Sequence, residues 1–156
     1  MNYQLDEIDK KILDFLVENT RMPFTEIAKQ MDVSAGTIHV RVKKMEDAGL
    51  ITGSSLNIDY GKLDYHFTAF IGILLTKSNR TQDVLKELAT IPNVVEASVI
   101  SGKYNIFCKV RAKHTEDAKR IIYQIDDIQD VMRTESMISM EEYLSDKNRL
   151  INAISV

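Results

Sequence analysis

Apolar residues recur at helical spacing in the first fifty positions and alternate at strand spacing through much of the remaining chain, which predicts a helical part and a sheet part. Leu5, Ile8, Ile12, Phe15 and Leu16 make one face of a first helix of roughly four turns, interleaved with Asp6, Glu7, Asp9, Lys10, Lys11 and Asp14. Pro23 suits the first turn of a short second helix that turns Phe24, Ile27, Ala28 and Met31 inward. Asp32 and Val33 then form a tight turn into VSAGTIHVRVKKMEDAGLI. Ser34 is a good N-cap and Gly49 suits the left-handed residue that ends a helix, so a third helix is expected over 35–48. Ile38, Val42 and Met45 form its apolar stripe, which leaves His39, Arg41, Lys43 and Lys44 on other faces.

After Gly49 the helical period stops, and 51–65 reads as an extended linker with a short strand at 55–58. Strands are then expected over 67–75, 94–100, 104–112 and 132–140. Helices are expected over 81–90, with Val84, Leu85 and Leu88 inward, and over 115–128, with Ala118, Ile121, Ile122 and Ile125 inward. Two βαβ halves joined at Ser101-Gly102-Lys103 make the ferredoxin-like βαββαβ pattern, an antiparallel sheet with both helices on one face. Both alternating sets of 67–75 are apolar, so that strand should be buried on both sides. With no residues left for a second layer, the expected cover is another copy of the chain, a homodimer made sheet to sheet. Such a dimer would pair two helical units about a two-fold axis, the arrangement that sets two helices roughly 34 Å apart in successive DNA grooves.

Charge narrows the partners. The net charge is −3, and residues 1–60 carry 7 Lys/Arg against 10 Asp/Glu, so any nucleic-acid contact must come from a local patch. The lone Cys108, in an apolar alternating run, can form no internal disulfide and fits a reducing cytoplasm. The apolar run at 67–75 is too short to span a bilayer, so no membrane partner is expected. His39, His66 and His114 are scattered, no nucleophile elbow or P-loop spacing occurs, and no Cys/His cluster has metal-ligand spacing. The paired acids Asp126/Asp127 and Glu141/Glu142 read as solvated surface. No enzyme, metal or cofactor is therefore expected.

Two places remain as candidate sites. The small opening of the third helix, Ser34, Ala35, Gly36 and Thr37, lets backbone approach DNA closely. On this reading His39, Val40 and Lys43 face base edges, while Arg41 and Lys44 face phosphates. A three-helix bundle with a solvated charged face fits the same pattern, and Arg41 has the alternative of pairing with an acid of its own domain. The second place is the turn Ser101-Gly102-Lys103-Tyr104-Asn105, which reads either as a simple glycine hairpin or as a cradle for a small polar ligand at a subunit boundary.

LDEIDKKIL at 5–13, VSAGTIHVRVKKMEDAGLITG at 33–53, FIGILL at 70–75, SGKYNIFCKV at 101–110 and MEEYL at 140–144 together resemble the Lrp/AsnC, or feast/famine, transcription regulators over nearly the whole chain. GTIHVRVKKM and GKYNIF are more similar to the asparagine-responsive branch than to the leucine-responsive one. The resemblance implies an α+β protein with a three-helix, winged-type helix-turn-helix domain at 1–50, an extended linker at 51–65, and a ferredoxin-like αβ-sandwich domain for effector binding and oligomerisation at 66–156. It implies binding to double-stranded DNA, with dimers assembling into an octamer or larger ring and a small amino-acid effector between dimers. By position it implicates Gly102, Lys103, Tyr104 and Asn105, with Thr134, Ser136 and Ile138 of the last strand. Lys103 and Asn105 depart from acids that many members carry, and Pro23 from a capping Ser or Asp. The expectation is a cytoplasmic, sequence-specific regulator responding to an amino acid. The alternative is an architectural protein that wraps DNA with little effector dependence.

Overall fold

The computed structural model describes residues 3–146 and 148–155, which form two compact units, Met1–Asn57 with Leu144–Val156, and Ile58–Tyr143. In the first unit α1 spans Glu7–Glu18, α2 Phe24–Met31 and α3 Ala35–Asp47. Each boundary has a local cause. Asp6 caps α1 by accepting from the Asp9 amide at 2.8 Å. Pro23 stands just before α2, extended at φ −61° and ψ 138°, one position earlier than the first-turn place its sequence context predicts. Asp32 ends α2 in the left-handed conformation, φ 54°, and Ser34 caps α3 through the Thr37 amide at 3.0 Å. Gly49, at φ 72°, closes α3 by donating to the Glu46 carbonyl, while Leu50 donates back to the Met45 carbonyl.

The three helices bury Ile12, Leu13, Ile27, Ala28, Ile38, Val42 and Met45 as one core. Ile151, from a 3-10 turn at Arg149–Ala153, packs against it. The C-terminal residues thus belong with the helices and not, as expected from the sequence, with the sheet domain. No strand forms at 55–58; the first regular structure after α3 is a 3-10 turn at Tyr60–Leu63.

In the second unit β1 spans Phe67–Leu75, α4 Thr81–Leu88, β2 Val94–Val99, β3 Ile106–Ala112, α5 Thr115–Asp126 and β4 Val131–Ile138. The sheet order is β2-β3-β1-β4, with every neighbour antiparallel. This is the split βαβ arrangement expected from the alternating periods. Ile71, Ile73, Leu75, Ile106, Cys108 and Val110 meet Val84, Leu88, Ala118, Ile121 and Ile125 in the core between sheet and helices.

The opposite face carries Thr68, Phe70, Gly72 and Leu74 of β1, with Phe107, Lys109 and Arg111 of β3 in register beside them. Part of its cover comes from the chain itself, contrary to the expectation that no residues are left to supply one. Beyond β4, the Ser139 amide donates to the Thr68 carbonyl at 2.9 Å. Glu142 then accepts from Lys109 and, at 2.6 Å, from Arg111. Glu142 is therefore an anchored carboxylate and not the solvated surface acid that its pairing with Glu141 suggests, and β4 ends at Ile138, short of the expected 140.

Candidate nucleic-acid interface and effector site

Because Ile38, Val42 and Met45 are fixed in the helical core, α3 must present Gly36, Val40, Lys43 and Asp47 on its outer stripe, flanked by His39 and Lys44. Val40 is 66% exposed, an apolar side chain left in water at the centre of that stripe. His39 lies against the Phe24 ring, with centroids 6.1 Å apart. Lys44 sits over Tyr3, its ammonium 5.3 Å from the ring centre. Lys43 is 3.4 Å from Asp47, an exposed pair that holds it loosely. Ser34 and Thr37 are engaged with each other at the cap, 2.9 Å between hydroxyl oxygens, and Ala35 and Gly36 form the first turn beside them.

Arg41 takes the internal alternative. Its guanidinium donates to Asp6 at 2.6 Å and to Asp9 at 2.8 Å, and Asp9, 1% exposed, also accepts from the Tyr3 hydroxyl at 2.9 Å. These bonds hold the Asp6 carboxyl below its ordinary range, first through the Asp9 amide and then through Arg41. They push the Tyr3 phenol up to about 12, chiefly through burial and then through its bond to Asp9. Arg41 is thus a tie between α1 and α3, which leaves Lys43 and Lys44 as the cations of the outer stripe, with His39 beside them. Its acids lie 35 and 32 positions back along the chain, too far for local pattern to choose the partner.

The glycine turn is built just as specifically. Gly102 adopts φ 126°, a conformation open at little cost only to glycine. Asn105 is spent on structure: its amide donates to the Ile73 carbonyl, and its side-chain oxygen accepts from the Leu75 amide at 2.9 Å. Tyr104 lies flat on Gly72, where an added Cβ would be 2.7 Å from three ring atoms. Its hydroxyl donates to Glu135 at 2.7 Å, and Lys103 donates to the same oxygen at 2.6 Å. The Lys103 bond, then that of Tyr104, holds the Glu135 carboxyl below the usual range.

Glu135 and Gly72 therefore complete the arrangement around the glycine turn, and sequence reasoning misses both. Strand alternation in β4 separates Glu135 from Thr134, Ser136 and Ile138, which pair with the core residues Ile73, Ile71 and Ala69 and so project on the helix side. Thr134 there donates to Asp126 at 2.7 Å. The structure brings Gly102, Lys103 and Tyr104 together with Glu135, and it does not bring Thr134, Ser136 or Ile138 to them. Elsewhere His114 caps α5 by accepting from the Asp117 amide at 3.2 Å. Burial raises the Cys108 thiol to about 11.

Two family descriptions match: an AsnC-type helix-turn-helix domain over residues 5–46 and an Lrp/AsnC ligand binding domain over 68–148. The chain belongs to the Lrp/AsnC family. It is 39% identical over 140 residues to the Regulatory protein AsnC of Haemophilus influenzae, covering 89% of this chain and 93% of that one. It is 38% identical over 141 residues to its namesake in Escherichia coli strain K12, covering 90% and 93%. The solved structure of E. coli AsnC superposes with a TM-score of 0.87 at 35% identity, covering 92% of this chain and 97% of that one. A transcriptional regulator of Neisseria meningitidis, solved as a complex with L-Met, shares the fold at TM-score 0.86 and 19% identity, covering 92% and 95%. This regulator is accordingly a DNA-binding transcription regulator with a ligand-binding domain, and not an enzyme. Among the described residues no helix is long and apolar enough to cross a membrane.

Proposed function

We propose that this cytoplasmic regulator binds specific sites in double-stranded DNA through the outer stripe of α3 and changes its binding or assembly when a small amino acid occupies the glycine turn. In this reading Gly36 and the capped first turn, Ser34 to Thr37, allow close approach of backbone to DNA. His39, Val40 and Lys43 face base edges, and Lys44 faces phosphate. The observation that carries the reading is Val40: a mostly exposed apolar residue between cationic neighbours, on a helix whose other face is fully committed to a core. Such a residue suits the thymine methyl of a major groove better than it suits water.

At the turn, the Lys103 ammonium and the Glu135 carboxylate, 2.6 Å apart beside the Tyr104 hydroxyl, offer an amino acid the two charges that complement its own. Homodimers formed through the sheet and assembled into an octamer or larger ring complete the proposal. So does a division into a helical DNA-binding domain at 1–50, a linker at 51–65 and an effector domain from 66 up to the C-terminal residues that pack with the helices. The architectural reading keeps one supporting observation, that Lys103 and Glu135 already satisfy each other and the Asn105 side chain is consumed by the Leu75 amide.

Mobility shift on DNA upstream of the protein's own gene, at several salt concentrations, tests the first part. A specific complex whose affinity falls as salt rises is expected, and affinity indifferent to salt would reject DNA binding through α3. A thermal-shift panel of the twenty amino acids, Met included, tests the second. One or a few should raise the melting temperature by linkage, and a flat panel would favour the architectural reading.

A further inference from the structure

Strand alternation places Arg133 on the same side of β4 as Glu135, opposite Leu74 as Glu135 is opposite Gly72. Arg133 and Lys103 share this one carboxylate. The Lys103 ammonium and the Tyr104 hydroxyl donate to one oxygen of Glu135, at 2.6 and 2.7 Å, and the Arg133 guanidinium stands 3.2 Å from the other oxygen. The glycine turn and β4 thus set two cations around a single anion, a local excess of positive charge in a chain whose net charge is −3. Both cations keep a free side: the Lys103 and Arg133 side chains are 63% and 66% exposed, against 25% for Glu135. β4 is an edge strand, so the cluster lies at the rim of the sheet beside the turn, and stacking a second copy on the central strands β1 and β3 leaves it at a subunit boundary.

Neutral polar groups near the turn are already engaged. The Asn105 side-chain oxygen accepts from the Leu75 amide, and Thr134 lies on the helix side, where it donates to Asp126. An amino acid that matches its α-carboxylate to Lys103 and its α-ammonium to Glu135 leaves the charge of Arg133 unanswered. A carboxylate on the amino acid's side chain answers it, because a carboxylate only accepts and can take two parallel bonds from the guanidinium fork. A carboxamide of the same shape offers one acceptor and sets an NH2 donor against the other arm of the fork. We infer that the glycine turn takes an acidic amino acid, L-aspartate or L-glutamate, and that Arg133 selects it over the isosteric amide. This ligand class rests on the proposed reading of the turn as the effector site.

The test is isothermal titration calorimetry of the full-length protein with L-Asp, L-Asn, L-Glu and L-Gln at matched pH and ionic strength, in the wild type, R133Q, R133K and K103A. The wild type should bind an acid about tenfold more tightly than its amide. R133Q, altered at an exposed position, should bind acid and amide within about twofold of each other. R133K, which keeps the charge without the fork, should retain part of the preference. K103A should weaken acid and amide alike, since the α-carboxylate is common to both. Amides bound as tightly as acids by the wild type, or a preference for acid that survives in R133Q, would overturn the inference. So would four flat titrations. The effector reading fails separately, if K103A leaves every affinity unchanged or if no amino acid of the thermal-shift panel binds.

Discussion

Replacing Arg41 by Met should destabilise the helical unit without acting at the DNA surface. In the wild type the Asp9 carboxylate, 1% exposed, has two side-chain donors, the Arg41 guanidinium at 2.8 Å and the Tyr3 hydroxyl at 2.9 Å. R41M leaves that carboxylate with the neutral hydroxyl alone. Removing one partner of a buried pair costs about 3–5 kcal/mol. The Arg41 side chain is 27% exposed, so water can partly replace it and the expected loss is about 2–3 kcal/mol. The second variant, D9N, removes the buried charge instead. R41M/D9N should then be more stable than R41M, because no uncompensated carboxylate remains and the two effects are coupled.

Native-state hydrogen exchange reads this within one unit. The slowest amides of Ile12, Ile38 and Met45 should exchange about 30- to 150-fold faster in R41M, at tenfold per ~1.4 kcal/mol, while those of Ile71 and Val110 stay unchanged. DNA affinity corrected for the unfolded fraction should move less than in K43A/K44A. Unchanged exchange in R41M together with a flattened salt dependence of DNA binding would refute the argument, since Arg41 would then be spending its charge on phosphate.

The Lys43 and Lys44 ammoniums, if both meet phosphate, contribute about 0.9 each to the slope of log affinity against log salt, so K43A/K44A should flatten it by about 1.8; H39A should instead change the preferred site in a selection from random DNA. Gly72→Ala places a Cβ 2.7 Å from the Tyr104 ring and should cost about 1–3 kcal/mol by overpacking, with most of the loss recovered in G72A/Y104A when urea midpoints are compared. The bond from Lys109, and then that from Arg111, hold the Glu142 carboxyl below the usual range. A depressed carboxylate adds stability that is present above the unfolded value, ~4.3, and is lost as pH falls through the folded one. Carboxyl-carbon NMR should therefore place the Glu142 midpoint below ~4.3, and a midpoint at or above it would mean that Glu142 is not paired with Lys109 and Arg111 in solution. Burial pushes the Cys108 thiol to about 11, so iodoacetamide at pH 8 should leave it unmodified until the sheet unit is unfolded.

What local sequence determined was periodicity and its punctuation. The 3.6-residue spacing of Ile38, Val42 and Met45, with Ser34 before and Gly49 after, suffices to make α3 and to choose its outer face, because helix geometry leaves those side chains no other side. The alternation in Phe67–Leu75 likewise fixes a strand with two apolar faces, and motif order identified the family. Tertiary structure decided whatever depended on partners far along the chain. Arg41 found Asp6 and Asp9 because α1 packs on α3, which ties its charge up inside the helical unit. Glu135 met Lys103 and Tyr104 because β4 lies beside β1, and Tyr104 could reach it only across a residue with no side chain, Gly72. Glu142 read as one of two surface acids until the chain turned back over the sheet to the buried Lys109. A charged side chain in sequence is only a valence; which opposite charge answers it is set by distance in space, and distance belongs to the fold.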